Sequence, residues 1–191
     1  IVIGGGVAGL CAAIRLSELG EEVVLIEGGS YPSHKICGEF LSPECLPYLA
    51  EWNIHPVAIP RLVLHTPNSN LQFPFPSAAG GMSHIQLDPA LAKIASKHNV
   101  KILTDTQVVS FEQKKSTNDP HLIKLSNHNE IEASNAIIAA GRFTNHSEKP
   151  LMHYMGFKAH FKLSCNEQDL KMFSLPGAYL GVSPIEENKF N

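Results

Sequence analysis

The opening stretch of the chain has apolar residues at spacings that predict a strand, a helix and a second strand. Residues 1–3 are apolar, residues 23–26 are mostly β-branched, and a helical spacing lies between them and ends before Gly20. The residues on the helical face are Leu10, Ala13, Ile14 and Leu16. Apolar residues that recur every three to four positions form one face of a helix, and a glycine often follows its last turn. The pattern predicts a β-α-β unit.

The rest of the chain mixes helical and strand patterns. Ser42 and Pro43 predict the start of a short helix, and Asp88 with Pro89 predicts the cap and first position of a longer one. Apolar and alternating runs predict strands. They are a hairpin at 61–76, strands at 100–103, 108–111 and 121–127, a strand from 130 with a buried end at 136–140, and a hairpin that starts at 178. The mixture predicts an α/β fold.

A strictly alternating segment at residues 157–162 predicts a strand with one apolar and one basic face. The apolar set is Phe157, Ala159 and Phe161, and the basic set is Lys158, His160 and Lys162. Successive side chains of a strand point to opposite faces. We expect the apolar set to be buried and the basic set to face solvent.

The turn between the first strand and the helix is rich in glycine. Gly4, Gly6 and Gly9 have the spacing G-x-G-x-x-G, with Val7 and Ala8 in the first helical turn. Such glycines allow a tight turn, close approach of a pyrophosphate and close helix packing, and the helix N-terminus attracts phosphate. The motif predicts a dinucleotide site; an ordinary glycine-rich turn is the alternative.

An acidic residue, Glu27, follows the second predicted strand. At the carboxyl edge of that strand a carboxylate can accept hydrogen bonds from an adenosine ribose and would repel a 2′-phosphate. Because Glu27 comes in register after strand, helix and strand, it strengthens the prediction of a dinucleotide site.

The next segment, residues 28–44, is rich in turn formers and predicts a loop with short helical pieces. A loop that leaves the ribose-binding strand runs along the cofactor toward its far end. Lys35, Cys37, Gly38 and Glu39 are therefore candidates to lie near a reactive ring, and Cys37 is a candidate catalytic residue. The alternative is a surface connection with an incidental cysteine.

Small residues lie at the carboxyl end of the strand predicted at 136–140. Ala140, Gly141 and Arg142 follow its apolar run. Small side chains at this edge let a strand approach a cofactor, whereas a simple strand-ending turn is equally consistent with the residues. Ala140 and Gly141 are candidate cofactor contacts.

Composition restricts the class of protein. Of the 191 residues, 43% are hydrophobic, which is enough for a sizeable core. The net charge of −3 gives no electrostatic reason to expect nucleic acid binding, and no apolar window is long enough for a spanning helix, although contact with a membrane surface stays open. Four cysteines without a C-x-x-C pair predict reduced thiols in a cytoplasmic protein. They are Cys11, Cys37, Cys45 and Cys165.

Hydrolytic and metal chemistry have no supporting motif in the sequence. There is no His-Glu-x-x-His segment or cluster of thiols, and His65 has no second ligand at metal spacing. We expect His65 to be an ordinary sheet residue and a cofactor to carry any reaction.

The segment KICGEFLSPE, together with GGGVAG and IEGGSYP, resembles the FAD-dependent oxidoreductases of the geranylgeranyl reductase and aromatic-ring hydroxylase group. This group includes para-hydroxybenzoate hydroxylase and flavin-dependent halogenases. The resemblance covers nearly all of the chain and only the amino-terminal half of such an enzyme. It implies a Rossmann-like domain of the glutathione reductase type that binds FAD or NAD(P), with part of a second, mainly β substrate domain.

The resemblance also implies roles for particular residues. FAD would be the bound cofactor, with its AMP half on Glu27 and its isoalloxazine near Cys37 and Gly38, and NAD(P)H would be the electron donor. The family often has arginine where this chain has Ser33 and His84. Two arginines that would contact the cofactor are therefore absent. A Gly-Asp dipeptide, the family's second FAD contact, is also absent, and we expect it beyond residue 191.

We therefore expect an FAD-dependent oxidoreductase that acts on a small, hydrophobic molecule, either reducing an isoprenoid-type double bond or hydroxylating an aromatic or polyketide-like ring. An NAD-dependent Rossmann enzyme and a non-catalytic nucleotide-binding module are the alternatives. The expected cofactor domain comprises residues 1–60 and 82–148, and the partial substrate domain comprises 61–81 and 149–191. Because the first residue already lies in a strand, we expect the chain to be a fragment that is inactive alone.

Overall fold

The strands form four sheets among the residues that the computed structural model describes, which are 1–116, 119–141, 155–163 and 167–191. The helices are α1 (Val7–Glu18), α2 (Leu46–Glu51) and α3 (His84–Lys97), and a 3-10 turn spans Pro43–Cys45. The strands are β1 (Val2–Ile3), β2 (Val24–Ile26), β3 (Phe40–Leu41), β4 (Val57–His65), β5 (Asn70–Gly81), β6 (Lys101–Leu103), β7 (Val108–Glu112), β8 (His121–Leu125), β9 (Glu130–Ala133), β10 (Ile137–Ile138), β11 (Phe161–Lys162), β12 (Leu170–Leu175), β13 (Ala178–Val182), β14 (Pro184–Ile185) and β15 (Lys189–Phe190). Arg142 and Cys165 lie outside the described residues.

The chain divides into two units that each contain two of the sheets. The first unit comprises residues 1–33 and 88–151, and the second comprises residues 34–87 and 152–191. Their assignment as cofactor and substrate domains stays a prediction.

A parallel sheet in the first unit confirms the predicted β-α-β unit. Its strand order is β10-β1-β2-β6, and Val2 of β1 lies opposite Leu25 on one side and Ile137 on the other. The chain runs from β1 to β2 and β6 on one side of β1, and later returns to β10 on the other. In open α/β sheets a ligand site lies beyond the carboxyl ends of the strands where the strand order reverses in this way. The topology therefore places the crevice at the ends of β1 and β10.

Helix α1 has the apolar face that the sequence predicts. Leu10, Ala13 and Ile14 are fully buried, and Gly20, with φ of 89°, follows the last turn. The amide of Gly20 donates to the carbonyl of Ser17 at 2.9 Å. These contacts hold α1 in the crossover between β1 and β2.

The strand expected from residue 130 to residue 140 forms two separate strands. β9 pairs antiparallel with β8, whereas β10 pairs parallel with β1, so the chain must break its strand at 134–136 to change sheets. The expectation of a buried end is also wrong, since 59% of Ile138 is exposed. The physical reason is that β10 is the outer strand of the described parallel sheet.

A five-stranded sheet dominates the second unit and contains the predicted hairpin. Its order is β13-β12-β4-β5-β3, and β4 and β5 are joined by a turn in which Thr66 bonds Ser69. His65 lies at the end of β4 and stacks on Phe173, as expected of a sheet residue. The predicted loop at 28–44 has its helical piece at its end, where the 3-10 turn Pro43–Cys45 begins, and Phe40–Leu41 adds β3 to the sheet edge. The hairpin expected to start at residue 178 begins at Pro184 instead, as β14 and β15, because residues 178–182 form β13 and pair with β12.

Helix α3 begins one turn earlier than the sequence predicts. Asp88 lies inside the helix and Ser83 precedes its first residue, His84. The carbonyl of Ser83 accepts the amide of Leu87 at 2.8 Å, and its own amide and hydroxyl donate to Glu186. A carboxylate near a helix N-terminus is favourable because it faces unpaired amides. The true start depends on Glu186, which is remote in sequence, and local sequence could not reveal it.

We expect Ile123→Ala to destabilise the first unit strongly. Ile123 is fully buried in a cluster with Ile26 and Leu125, and truncation of such an isoleucine costs about 2–5 kcal/mol. Val109→Ala is the matched control, because 63% of Val109 is exposed. Urea denaturation should give a lower unfolding free energy for Ile123→Ala only; equal losses in both variants would contradict the described core.

Candidate functional site

Close backbone packing defines the glycine-rich turn. Gly4 has φ of 105°, and a Cβ there would overlap the Ala139 carbonyl and lie 2.9 Å from the Ala140 nitrogen. A Cβ on Gly9 would overlap the Gly4 carbonyl oxygen. The ends of β1 and β10 and the first turn of α1 are thus in backbone contact. Only glycine satisfies both positions.

The start of α1 presents unpaired backbone donors. Gly6 is the N-cap, with extended backbone (φ −75°, ψ −178°) and no side-chain cap, and the first turn has no acidic residue. Intrahelical bonding begins at Leu10, whose amide donates to the Gly6 carbonyl at 2.9 Å. The first amides of a helix, here those of Val7 and Ala8, have no partner within it and carry partial positive charge. This end of α1 suits an anion.

Glu27 is tied to the glycine-rich turn. One carboxylate oxygen accepts the amide of Gly5 at 2.6 Å, and the other accepts the amide of Gly29 at 3.0 Å. Each oxygen can accept more than one hydrogen bond, so both retain capacity for a ligand hydroxyl. Glu27 therefore has a structural role that the sequence did not predict, beside its predicted role toward ribose.

Tyr31 stabilises the same turn through a hydrogen bond to Gly5. Its hydroxyl donates to the Gly5 carbonyl at 2.5 Å, and a Cβ on Gly5 would overlap that hydroxyl. Burial raises the pKa of Tyr31 well above its ordinary value, and the negative charges of Glu27 and Asp88 raise it further. The phenol therefore stays a neutral donor. The sequence signal for this contact is Gly5, because a side chain at this position would overlap the Tyr31 hydroxyl.

The predicted residues at the end of β10 lie beside the turn. The amide of Ala139 donates to the Ile3 carbonyl at 2.7 Å, and Ala140 and Gly141 follow directly. The first unit therefore brings Ala140 together with the glycine-rich turn, and its contact with a cofactor stays a prediction. A group with a pyrophosphate fits this arrangement, because the turn leaves no Cβ in its way and α1 offers free amides.

Lys35, Cys37 and Gly38 belong to the second unit. Cys37 is exposed, its thiol hydrogen-bonds the His84 side chain, and it accepts the Glu39 amide at 3.4 Å. The His84 hydrogen bond lowers the pKa of the Cys37 thiol, with partial burial acting in the opposite direction. Lys35 is half-buried and Gly38 has open space around it. His84, where the resembling family often has arginine, is thus a partner of Cys37.

The predicted faces are reversed at residues 157–160, whereas Lys162 is exposed as expected, and only Phe161–Lys162 of the predicted strand forms a strand. Phe157 is 88% exposed and Phe161 is 59% exposed, whereas the side chains of Lys158 and His160 are mostly buried. The cause is the buried carboxylate of Glu39, which pairs with Lys158 and accepts His160 Nε2 at 2.7 Å. A desolvated carboxylate requires such donors. Alternation revealed the two faces, but only the position of Glu39 decides which one is buried.

Metal binding finds no support in the part of the chain that the structure describes. No group of three or more His, Cys, Asp or Glu side chains there could hold a metal ion. Among the same residues no helix is long and apolar enough to cross a membrane.

Comparison with known families and proteins agrees with a flavin site. Residues 1–36 match the family described as FAD binding domain. Among curated proteins, menaquinone reductase of Mycolicibacterium smegmatis is 24% identical over 151 residues, covering 74% of this chain and 37% of that protein. Menaquinone reductase of Mycobacterium tuberculosis is 23% identical over 175 residues, covering 84% of this chain and 40% of that protein. The chain thus spans about two fifths of the length of these relatives.

Solved structures share the fold over nearly the whole chain. A flavoprotein/dehydrogenase from Cytophaga hutchinsonii has a TM-score of 0.77 at 21% identity, covering 99% of this chain and 53% of that one. The p-nitrophenol 4-monooxygenase PnpA from Pseudomonas putida has a TM-score of 0.78 at 15% identity, with 99% and 55% covered. The myxobacterial FAD-dependent halogenase CndH has a TM-score of 0.76 at 14% identity, with 99% and 50% covered. The expected α/β fold with a Rossmann-like sheet is confirmed, and these flavoproteins share it.

We expect Gly9→Ala to destabilise the first unit even without a ligand. The added methyl group would overlap the Gly4 carbonyl, so α1 must move away from β1. Gly181→Ala is the matched control, because its Cβ would meet open space. Thermal unfolding should show a lower midpoint for Gly9→Ala, by several degrees, and little change for the control. A Gly9→Ala protein as stable as the control would rule out the described packing.

Proposed function

We propose that this chain is part of an FAD-dependent oxidoreductase that takes hydride from NAD(P)H and reduces a double bond of an isoprenoid-type substrate. The observation that carries the proposal is the glycine-rich turn, whose backbone packs on β10 and leaves the first amides of α1 free. The family match at residues 1–36 covers this turn and Glu27.

The residues of the first unit have distinct tasks in holding FAD. The amides at Gly6, Val7 and Ala8 bind the pyrophosphate, and Gly4 and Gly9 keep the turn close enough for them to do so. Glu27 accepts the ribose hydroxyls on the lone pairs that the Gly5 and Gly29 amides leave unused. Ala140 and Gly141 line the same end of the sheet.

Bound FAD would supply the hydride chemistry. The task of the protein is to bind the cofactor and the substrate, to orient them, and to exclude water. We assign Lys35, Cys37 and Gly38 to the reactive end of the cofactor. What supports the assignment is the environment of Cys37, an exposed thiol whose pKa is lowered chiefly by the His84 hydrogen bond. Cys37 would contact substrate or cofactor, and Lys35 would favour an anionic reduced ring.

An apolar face of the five-stranded sheet supports a hydrophobic substrate. The strand registers place the following side chains on one face: Leu62, Leu64, Leu71, Phe73, Leu170, Met172 and Tyr179. Leu71 is 45% exposed and Phe73 is 46% exposed, so this face still has apolar surface to cover. Contiguous exposed apolar surface marks binding sites for apolar groups. An isoprenoid chain has the matching chemistry.

Hydroxylation of an aromatic ring is the second candidate. The chain shares its fold with a p-nitrophenol monooxygenase and with halogenases, but at 15% and 14% identity this likeness concerns the fold alone. The curated relatives that match in sequence are named menaquinone reductases, which favours reduction. Assays of the full-length protein that follow NAD(P)H oxidation under air and under nitrogen separate the two, because only hydroxylation consumes oxygen.

We expect Gly6→Val and Glu27→Ala to weaken FAD binding in the full-length protein. The valine would block the pyrophosphate, and loss of the ribose hydrogen bonds costs about 1.5–3 kcal/mol, which is roughly tenfold to hundredfold in affinity. Glu22→Ala is the matched control, since Glu22 is an exposed acid outside the site. Flavin absorbance of the purified proteins and FAD titration provide the measurement. Unchanged affinity in Gly6→Val would refute the FAD site, and an NAD-dependent enzyme would purify without flavin.

We expect Phe73→Ser to reduce kcat/KM for a substrate with an isoprenoid tail. Phe73 is half exposed, and loss of its apolar contact with the tail costs about 1 kcal/mol, or roughly fivefold. Gln72→Ser is the matched control on the opposite face of β5. The assay compares two menaquinones, one with a long and one with a short isoprenoid tail, because the proposed reaction needs a double bond in the tail; the loss should be larger for the long tail and confined to Phe73→Ser. Equal losses for both substrates would argue against this surface.

A further inference from the structure

Glu39 is a buried acid held in an unusual backbone conformation. Its side chain is fully buried, and its φ of 55° lies in the left-handed region that residues other than glycine rarely adopt. Its carbonyl accepts the Met82 amide at 3.2 Å. A conformation of this kind persists only where surrounding contacts enforce it.

Three donors converge on the Glu39 carboxylate. Oε1 accepts the backbone amide of His84 at 2.8 Å and pairs with Lys158 Nζ, while Oε2 bonds His160 Nε2 at 2.7 Å. The His160 ring in turn contacts His34 edge to face, with ring centres 5.2 Å apart. A carboxylate removed from water is tolerated when it is paired and hydrogen-bonded in this way. Glu39 therefore joins the loop at 34–39, the start of α3 and the segment at 155–163.

The Cys37 thiol depends on the same residue. The amide of Glu39 donates to Cys37 Sγ at 3.4 Å, and the other partner of the thiol is the side chain of His84. The backbone of His84 is itself bonded to the Glu39 carboxylate. Both partners of the thiol are thus held by Glu39.

We propose that Glu39 is a positioning residue that fixes the Cys37 thiol against His84, and that Lys158 and His160 hold Glu39 in place. The proposal concerns residues of the second unit alone. It assigns Glu39 a role beyond charge balance, because the backbone amide and the carboxylate of this one residue set both contacts of the thiol.

The charge of Glu39 and its positioning act on the thiol in opposite directions. The His84 hydrogen bond, followed by the Glu39 amide, lowers the pKa of Cys37, whereas the negative carboxylate raises it. If Glu39 acted only through its charge, its neutralisation would lower the pKa of Cys37 further. If Glu39 positions the thiol, its neutralisation frees the loop, the two stabilising hydrogen bonds are lost and the pKa rises.

The test follows the rate at which iodoacetamide alkylates Cys37 in the full-length protein from about pH 5 to about pH 10, the span over which protein thiols titrate. Mass spectrometry of the Cys37 peptide separates this thiol from the other cysteines. We expect Glu39→Gln to move the midpoint of the profile to higher pH and to slow alkylation at pH 7 by roughly threefold to tenfold, because less of the thiol is ionised there. A midpoint that falls or does not move overturns the proposal.

A second variant and a matched control distinguish positioning from charge and from general loosening. Glu39→Asp keeps the charge but shortens the reach to the donors, so we expect the midpoint to rise in this variant too, whereas a pure charge effect predicts no change. Should Glu39→Gln fail to fold, Glu39→Asp decides the question. Glu186→Gln is the control, because Glu186 bonds Ser83 beside His84 without touching Cys37. An equal rise of the midpoint in Glu186→Gln would reduce Glu39 to a general structural role and overturn the proposal.

The inference rests on the proposed function only where turnover is concerned. Alkylation needs neither substrate nor electron donor, so it reports on positioning alone. Steady-state rates of Glu39→Gln and Cys37→Ala then test the reaction. If both variants turn over like wild type while the alkylation profile of Glu39→Gln moves to higher pH, Cys37 leaves the proposed active site and the positioning role of Glu39 stands.

Discussion

Contact between backbones without intervening side chains is the constraint on which the first unit depends. The carbonyl of Gly4 lies where a Cβ of Gly9 would be, and the backbone of Ala139 and Ala140 lies where a Cβ of Gly4 would be. A single methyl group at either position would separate α1 or β10 from β1. The same packing that closes the sheet also keeps the first amides of α1 clear. The closeness of the backbones and the open start of α1 thus have one physical cause.

Two acidic residues, one in each unit, organise loops by different means. Glu27 is half-buried and satisfies backbone amides of the loop, which leaves it lone pairs for a ligand. Glu39 is fully buried and needs a cation, an imidazole and an amide around it. Removal of one partner from such a buried pair costs about 3–5 kcal/mol in general, because the other charge stays desolvated. Burial therefore makes Glu39 a structural centre and leaves Glu27 accessible.

Hydrophobic patterning alone misled where an ion pair competed with it. Phe157 and Phe161 alternate with basic residues, and apolar burial would ordinarily decide the orientation of such a strand. Lys158 and His160 face inward instead, since Glu39 cannot remain buried without donors. Periodicity indicates which side chains are apolar enough to be buried. It does not indicate that a buried carboxylate, distant in sequence, needs hydrogen-bond donors around it. Similarly, Ser83 and not Asp88 precedes α3, because Glu186 stabilises the earlier start.

By itself the sequence determined the β-α-β unit, the glycine-rich turn with the acid Glu27 after β2, and the hairpin of β4 and β5. These features arise from local spacing and from short motifs whose partners lie within the same supersecondary unit. Only the tertiary structure decided the break between β9 and β10, the start of α3, the contact of Tyr31 with Gly5 and the inward face of Lys158 and His160. Each of these depends on a partner that is distant in sequence or on which sheet a strand joins. Spacing along a chain does not encode the polar partner that a buried group will meet.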